Sequence, residues 1–323
     1  MIRDLSARGP PPATRLSAMA SEGTAGSDVF RTPDERFEGL PDYTFAPNYL
    51  DVGGLRMHYV DESPSGPPTG KTILCFHGEP TWAFLYRKMA LPFLEAGHRV
   101  VLPDLAGFGR SDKPTDFGWY TYDRHVEQVS GVLGSLDLSD VIVVVQDWGG
   151  PIGLRWAVEN PDRVGGLVIM NTGLFSGRVS KGFMAWREFA EKNPDLPVGV
   201  VAQGGTATEL APEVVAAYEA PFPNPESKAG AATFPLLVPI DPDDPSAATM
   251  TDVADQLRNW EKPCLVAFSD GDPVFPFPKA GEMFTDAIPS AGEQVRIEGA
   301  AHFLQEDRGE RIAEEVLSFL ATN

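Results

Sequence analysis

The 323-residue sequence predicts an α/β protein, with a mostly parallel, eight-stranded sheet, helices on both faces of the sheet and an inserted helical cap. Two observations support this prediction. Short apolar runs rich in Val, Ile and Leu, typical of strands buried on both faces, alternate with longer segments of helical periodicity. The alternation stops between residues 172 and 251, where the sequence becomes helical and proline-rich, and then resumes.

The predicted core elements follow one another in a regular order. A hairpin pairs Asn48–Val52 with Arg56–Asp61 across Gly53 and Gly54, which form a strong turn signal. Buried strands are then predicted at Thr72–Phe76, Arg99–Pro103, Val141–Val145, Val164–Met170, Pro263–Ser269 and Gln294–Glu298. The apolar spacing predicts helices ending near Gly97 and Leu136, a helix from Trp148 to Glu159 and a closing helix from Leu304 to Leu320.

These elements divide the chain into three parts. Residues 1–30 are rich in Ala, Ser, Gly and Pro and lack the apolar run of a signal peptide. We therefore expect a disordered tail and, by default, a cytoplasmic enzyme. Residues 31–171 and 252–323 form the predicted core domain. Residues 172–251 form the predicted cap domain, in which Phe183, Trp186 and Phe189 recur at helical spacing.

Charge and cysteine content narrow the possible partners. The 26 basic and 46 acidic residues give a net charge of −20, which repels nucleic acid and anionic membranes. No stretch approaches the roughly 18 apolar residues of a membrane span. Cys75 and Cys264 each lie in an apolar run, so we expect reduced core thiols and no disulfide framework or zinc site. We expect a monomer with no nucleic-acid or membrane partner.

The run Val143–Gly150 is the most informative segment of the chain. It has the pattern of the strand, sharp turn and helix that expose the nucleophile in α/β-hydrolases, but Asp147 stands where serine is usual. A carboxylate that attacks an ester carbonyl gives an anhydride, which is no easier to cleave. At a saturated carbon it can displace a leaving group and form an ester that water hydrolyses. Asp147 therefore indicates substrates with a carbon–halogen bond or an epoxide.

The hydrolysis step needs a base and an acid that orients the base. In α/β-hydrolases the order along the chain is nucleophile, acid, histidine. Of the five histidines, only His302 lies in the short loop between the last predicted strand and the last helix. Asp270 and Asp272 both follow the strand Pro263–Ser269. We favour Asp272 as the acid and interpret Asp270 as a turn carboxylate that caps nearby amides.

The chemistry also needs backbone N–H donors for a developing oxyanion. The α/β-hydrolase fold takes one donor from the loop after the strand Thr72–Phe76 and the other from the residue after the nucleophile. In this sequence those residues are Glu79 and Trp148.

These motifs resemble the haloalkane dehalogenases, in particular the branch with an Asp-His-Asp triad and two halide-binding tryptophans. The resemblance extends from about Arg31 to the C-terminus and is carried by residues 77–89, 104–114, 144–153, 182–186 and 302–306. It implies an α/β-hydrolase core with a helical cap and no cofactor or metal. It also implies that water hydrolyses a small halogenated alkane to a primary alcohol, a halide and a proton.

The resemblance further implies a role for each site residue. Asp147 would be the nucleophile, His302 the base and Asp272 its partner. Trp148 and Trp186 would point their indole N–H groups at the departing halide, a role that suits a donor with no acceptor atom.

Other residues indicate what lines the substrate pocket and which branch of the family the chain resembles. By similarity Phe183, Phe222 and Pro223 would line the substrate pocket. The sister branch places its acid just after the sixth strand and has an asparagine at the position of Glu79. This chain has the neutral Asn171 near the first position and glutamate at the second, which favours the two-tryptophan branch.

Three alternatives remain open. An epoxide hydrolase shares the aspartate nucleophile and the histidine, but it activates the epoxide with phenols, commonly two cap tyrosines, and the predicted cap contains only Tyr218. A fluoroacetate-type dehalogenase needs an arginine beside the nucleophile, where this chain has Trp148. An inactive hydrolase fold that acts as a ligand-binding protein conflicts with the intact set of nucleophile, acid and base.

Overall fold

The computed structural model describes residues 28–66 and 70–323 of the chain. Within them the strands are β1 (Val29–Phe30), β2 (Asn48–Val52), β3 (Leu55–Glu62), β4 (Thr72–Phe76), β5 (Arg99–Pro103), β6 (Lys113–Pro114), β7 (Val141–Gln146), β8 (Val164–Met170), β9 (Cys264–Ser269) and β10 (Val295–Ile297). The α-helices are α1 (Arg87–Glu95), α2 (Tyr122–Gly134), α3 (Gly149–Glu159), α4 (Lys181–Lys192), α5 (Val198–Gly204), α6 (Pro212–Glu219), α7 (Ala229–Leu237), α8 (Ala247–Leu257), α9 (Lys279–Thr285) and α10 (Leu304–Thr322).

One large sheet organises the molecule. Its strands lie in the order β10-β9-β8-β7-β4-β5-β3-β2. The pairs from β10 to β5 are parallel, whereas β3 is antiparallel to both β5 and β2. All residues of β7 and β9 are buried, because helices cover both faces of the sheet. The predicted fold class, a mostly parallel eight-stranded sheet flanked by helices, is confirmed.

The sheet topology also determines where the site lies. The carboxyl ends of parallel strands meet at one edge of a sheet, and in open α/β sheets this is the edge where ligands bind. The loops that follow β4, β7, β8, β9 and β10 therefore converge. Helices α4 to α7 follow β8, and this segment contacts the loop after β10, where the carbonyl of Gly205 accepts from the N–H of Phe303 at 2.9 Å.

Two predicted boundaries need correction. Residues 1–27 of the predicted tail lie outside the described residues, but Val29–Phe30 form β1 and pair with Lys113–Pro114, so they belong to the folded protein. The predicted cap boundary at residue 251 falls inside α8. This helix buries Met250, Val253 and Leu257 and packs against α3 of the core, so it belongs with the core.

Both cysteines lie in the core, as predicted. Cys75 on β4 and Cys264 on β9 are both buried and free. Burial raises the pKa of both thiols. Among the described residues, no helix is both long enough and apolar enough to cross a membrane.

Candidate active site

A sharp turn at the end of β7 presents Asp147. Its φ of +51° lies in the left-handed region that L residues rarely adopt. The turn also brings the backbone very close to β4, because a Cβ atom on Gly149 would lie 2.1 Å from the carbonyl oxygen of Phe76. A Cβ atom on Gly78 would lie equally close to Asp147 Oδ1, at 2.1 Å. Glycine at these two positions therefore permits the close approach that forms the turn.

Hydrogen bonds fix the position of Asp147. Its N–H donates to the carbonyl of Asn171 at 3.0 Å, and its carbonyl accepts from Thr172 Oγ1 at 2.6 Å. Its carboxylate oxygen Oδ1 accepts from the N–H of Glu79 at 2.7 Å. The end of β8 and the loop after β4 thus hold the backbone and one carboxylate oxygen, while Oδ2 is directed towards His302.

The structure brings three of the predicted residues together in one chain of contacts. His302 Nε2 lies 3.5 Å from Asp147 Oδ2, and His302 Nδ1 lies 2.9 Å from Asp272 Oδ2. The other oxygen of Asp272 accepts from the N–H groups of Val274 and Phe275 at 2.7 and 3.2 Å. The imidazole therefore lies between two carboxylates, one of them fixed by backbone donors.

Asp270, the other candidate acid, faces away from His302. Its carboxylate accepts from Arg296 Nη2 and from the N–H of Gly299, both at 2.9 Å. This is the turn-capping role that the sequence analysis gave to Asp270.

Two opposing effects determine the charge of His302. Burial alone would lower the pKa of His302, but the Asp272 charge and the hydrogen bonds with Asp147 and Asp272 raise it to about 10. The imidazole is therefore cationic near neutral pH. If Asp147 became a neutral ester, one source of this increase would disappear and the pKa of His302 would fall.

Glu79 contributes a buried acid as well as an N–H donor. Its side chain is 4% exposed, and Oε1 has no hydrogen-bond partner among the described residues. Burial, and then the Asp147 charge, raise the pKa of Glu79 well above its ordinary value. The N–H of Trp148, the second predicted oxyanion donor, makes no hydrogen bond to another described residue.

Unlike Asp147, His302 and Asp272, the two predicted halide-binding tryptophans lie in different surroundings. Trp148 is buried next to Asp147 in the chain, with its ring 5.1 Å from Phe234 and 6.2 Å from Tyr122. Trp186 is half-buried on α4, where its ring stacks on Phe189 at 5.8 Å. Within the described chain, the two indoles form no aromatic pair with each other. Neither indole N–H donates to a described residue.

The three predicted pocket residues also have different environments. Phe183 is buried and stacks on Phe175 at 6.0 Å. Phe222 is buried against Phe108, with ring centres 6.3 Å apart. Pro223 is exposed, so the structure does not support its assignment to the pocket.

Some residues that hold the site were not predicted as site residues. The Asn171 amide nitrogen donates to Ser269 Oγ at 2.7 Å and to the carbonyl of His302 at 3.2 Å. Gln146 Nε2 donates to the same carbonyl at 3.2 Å. The sequence contained a signal for all of them, because each is a polar residue at the carboxyl end of a buried apolar strand.

Comparison with known proteins identifies the family. The model of the alpha/beta hydrolase fold matches residues 71–309. A haloalkane dehalogenase from Mycolicibacterium paratuberculosis is 48% identical over 301 residues, which cover 90% of this chain and 98% of that protein. The chain belongs to the haloalkane dehalogenases. It is therefore a hydrolase that acts on carbon–halide bonds, and the family predicted from the sequence is confirmed.

Two further haloalkane dehalogenases agree with this assignment. The enzyme from Psychrobacter cryohalolentis is 45% identical over 306 residues, covering 91% of this chain and 99% of that protein. The solved structure of DpaA from Paraglaciecola agarilytica has a TM-score of 0.85 and 37% identity, covering 90% of this chain and 98% of that one.

Proposed function

We propose that this haloalkane dehalogenase cleaves its substrate through a covalent ester on Asp147. The distance of 3.5 Å between Asp147 Oδ2 and His302 Nε2 is the main support. Because Oδ1 accepts the Glu79 N–H, Oδ2 is the oxygen that is free to attack. It forms a bond to the carbon as the carbon–halogen bond breaks, and the halide leaves with the electron pair.

In the second step His302 acts as the base. Neutral His302 takes a proton from a water molecule, which attacks the carbonyl carbon of the ester, while Asp272 orients and stabilises the imidazolium. The N–H groups of Glu79 and Trp148 donate to the oxyanion of the tetrahedral intermediate. Collapse of the intermediate regenerates Asp147 and releases a primary alcohol, which takes the remaining proton of the water. His302 releases one proton to solvent when the ester forms and keeps the proton that it takes from water, so it ends in the cationic form of the free protein.

The leaving halide needs donors in a dry site. Trp148 is 5% exposed and adjoins the nucleophile, which supports a role for its indole N–H. The role of Trp186 is supported only by the family resemblance of its cap segment. In the epoxide hydrolase alternative, Tyr218 would have to activate the epoxide. Its hydroxyl instead donates to Glu306 Oε1 at 2.5 Å in a buried contact, which argues against this alternative.

Halide release tests the proposal directly. Purified protein should release bromide and an alcohol from a short terminal bromoalkane, at the same rate with and without a chelator. Asp147→Asn should abolish release, because an amide is a much weaker nucleophile than a carboxylate. An epoxide assayed in parallel should remain unopened. Epoxide opening without bromide release, or loss of activity with chelator, would contradict the proposed reaction.

The assembly and location of the protein are further proposals. We predict a monomer of 34.9 kDa from the sequence, but the similar DpaA structure is described as tetrameric. Light scattering after gel filtration distinguishes this mass from a fourfold larger one. The two buried, free cysteines support a reducing, cytoplasmic location.

A further inference from the structure

The core holds the loop that carries His302 from one side. The carbonyl of Ala301 accepts from Asn171 Nδ2 at 3.0 Å and from Ser269 Oγ at 2.8 Å. The carbonyl of His302 accepts from Asn171 Nδ2 at 3.2 Å. These bonds attach the carbonyl groups of the loop to the ends of β8 and β9.

Asp307 holds the same loop from the other side and joins it to the cap. Its Oδ2 accepts from the N–H of Ala301 and from the N–H of Ala207, both at 2.9 Å. Its Oδ1 accepts from the N–H of Thr208 at 2.9 Å and from Thr208 Oγ1 at 2.6 Å. Asp307 is buried, and these donors compensate its charge. One carboxylate therefore bridges the histidine loop and the cap segment 205–208.

Packing connects this bridge to the imidazole. The N–H of Phe303 donates to the carbonyl of Gly205 at 2.9 Å. A Cβ atom on Gly205 would lie 2.5 Å from the ring of Phe303, so the cap backbone lies directly on that ring. The ring of Phe303 in turn lies 4.7 Å from the ring of His302. A displacement of the cap segment would therefore act on the base.

We infer that Asp307 is a positioning residue that docks the cap segment 205–208 on the histidine loop and thereby holds His302 for ester hydrolysis. This inference rests on the proposed roles of Asp147 and His302. Asp147 is held by Asn171, Thr172 and the N–H of Glu79, none of which bonds to Asp307. Asp307 therefore acts on the carbon–halogen cleavage step less directly than on the hydrolysis step, for which His302 is the base.

Asp307→Asn tests this separation of the two steps. An amide has one acceptor oxygen in place of two, and its NH₂ group would face either the N–H groups of Ala301 and Ala207 or the two donors of Thr208. Part of the bridge is therefore lost in either orientation of the amide. We expect ester hydrolysis to slow by roughly tenfold to a hundredfold, because small displacements of a catalytic group have effects of this size. The rate of the first turnover of bromide should stay close to the wild-type rate. Rapid quenching and intact-protein mass spectrometry should therefore detect alkylated Asp147 after a burst of bromide release.

Two threonine variants provide a matched comparison. Thr208→Val removes the 2.6 Å bond to Asp307 while it preserves the shape of the side chain. Thr206→Val makes the same change in the same segment, but among the described residues the Thr206 hydroxyl bonds only to Gln203 and Thr208. We expect partial ester accumulation in Thr208→Val and wild-type behaviour in Thr206→Val. If Asp307→Asn does not fold, this pair decides the question.

Three outcomes would overturn the inference. Asp307→Asn could slow both steps equally, it could lower only the melting temperature and the active fraction, or the two threonine variants could behave alike. The wild-type protein is assayed first, so a failure of the proposed function is distinguished from a failure of the Asp307 inference. If the proposed function is wrong, wild-type protein releases no bromide. If only the Asp307 inference is wrong, wild-type protein turns over normally and no ester accumulates in the variants.

Discussion

At the scale of single residues, the two half-reactions of the proposed mechanism make different demands on His302. Its cationic form, favoured by Asp272 and Asp147, stabilises the charged nucleophile before attack. Its neutral form is needed afterwards, because only a neutral imidazole can accept a proton from water. Formation of the ester removes the charge of Asp147 and so shifts His302 towards the form that the second step requires.

His302→Ala should separate the two steps. Asp147 can still attack the substrate, but no base activates the water, so the ester should persist. We expect at most about one bromide released per protein molecule and a stable alkyl adduct on the peptide that contains Asp147. Peptide mass spectrometry checks both results. Sustained turnover without an adduct would remove His302 from the proposed role.

The hydrolysis step should have a characteristic pH dependence. Below its pKa, His302 is protonated and cannot act as a base, so ester hydrolysis should accelerate as the pH rises through that pKa. The midpoint should lie below the value of about 10 in the free protein, because the ester has no charge to stabilise the imidazolium. Single-turnover measurements across pH test this prediction. A hydrolysis rate that is flat or falls with rising pH contradicts it.

The halide site should respond to loss of either indole. A hydrogen bond to a charged group contributes about 1.5–3 kcal/mol, so Trp148→Phe or Trp186→Phe should slow bond cleavage roughly tenfold to a hundredfold. Each variant should also weaken the quenching of indole fluorescence by bromide or iodide. Trp260→Phe, which changes a buried tryptophan near the end of α8, serves as the control. Normal halide affinity with a lower melting temperature in Trp186→Phe would make Trp186 a packing residue of α4.

At the scale of elements, the junction of β7 and α3 depends on backbone contacts that side chains would block. Asp147 has a positive φ, and the next turn of chain lies against the carbonyl of Phe76. The obstacle at Gly149 is backbone, which cannot move aside as a flexible side chain can. The geometry of the nucleophile therefore depends on the absence of a side chain at Gly149.

Gly149→Ala should destabilise the fold and misplace Asp147 together. The added Cβ atom would lie 2.1 Å from a carbonyl oxygen, and we expect a loss on the order of 3 kcal/mol or more. Gly134→Ala, at the end of α2, is the matched control because nothing lies within 4 Å of its Cβ position. The control should gain up to about 1 kcal/mol. Urea unfolding measures both, and equal stability of the two variants would contradict the proposed constraint.

At the scale of the whole molecule, a buried ion pair connects α6 to the core. Glu306 at the start of α10 bonds to both Nη atoms of Arg87 and accepts from the hydroxyl of Tyr218 on α6. Burial alone would raise the pKa of Glu306, but Arg87 and the other donors hold it below its ordinary value of 4.5. The ion pair therefore contributes stability above pH 4.5, and this contribution is lost as the pH falls through the lower pKa of the folded protein.

Glu306→Gln should reduce stability at neutral pH and make it less sensitive to acid. Removal of one partner leaves Arg87 buried without its counter-charge, which costs about 3 kcal/mol or more. Tyr218→Phe removes only one hydrogen bond to Glu306 and should cost about 1–3 kcal/mol. Unfolding measured from pH 7 to pH 3 should show the difference between wild type and Glu306→Gln shrinking below pH 4.5. A constant difference across this range would exclude the ion pair as its cause.

Features that depend on local pattern could be predicted without a structure. Apolar runs and helical spacing predicted the order of strands and helices. A strand buried on both faces gives a short continuous apolar run, and a helix buried on one face gives apolar residues three or four positions apart. The turn around Asp147 and the loop position of His302 were predictable because each residue comes a few positions after the end of a predicted strand. The aspartate nucleophile also restricted the chemistry without knowledge of the fold.

Tertiary structure decided the features that depend on contacts between distant segments. Asp270 and Asp272 lie in one turn, and only the path of the chain shows which carboxylate faces His302. The same is true of α8, which begins inside the predicted cap range but packs against α3 of the core. The bridge from Asp307 to the cap joins residues about 100 positions apart. No local period encodes such a contact, because it exists only after the sheet has brought the loops at its carboxyl edge together.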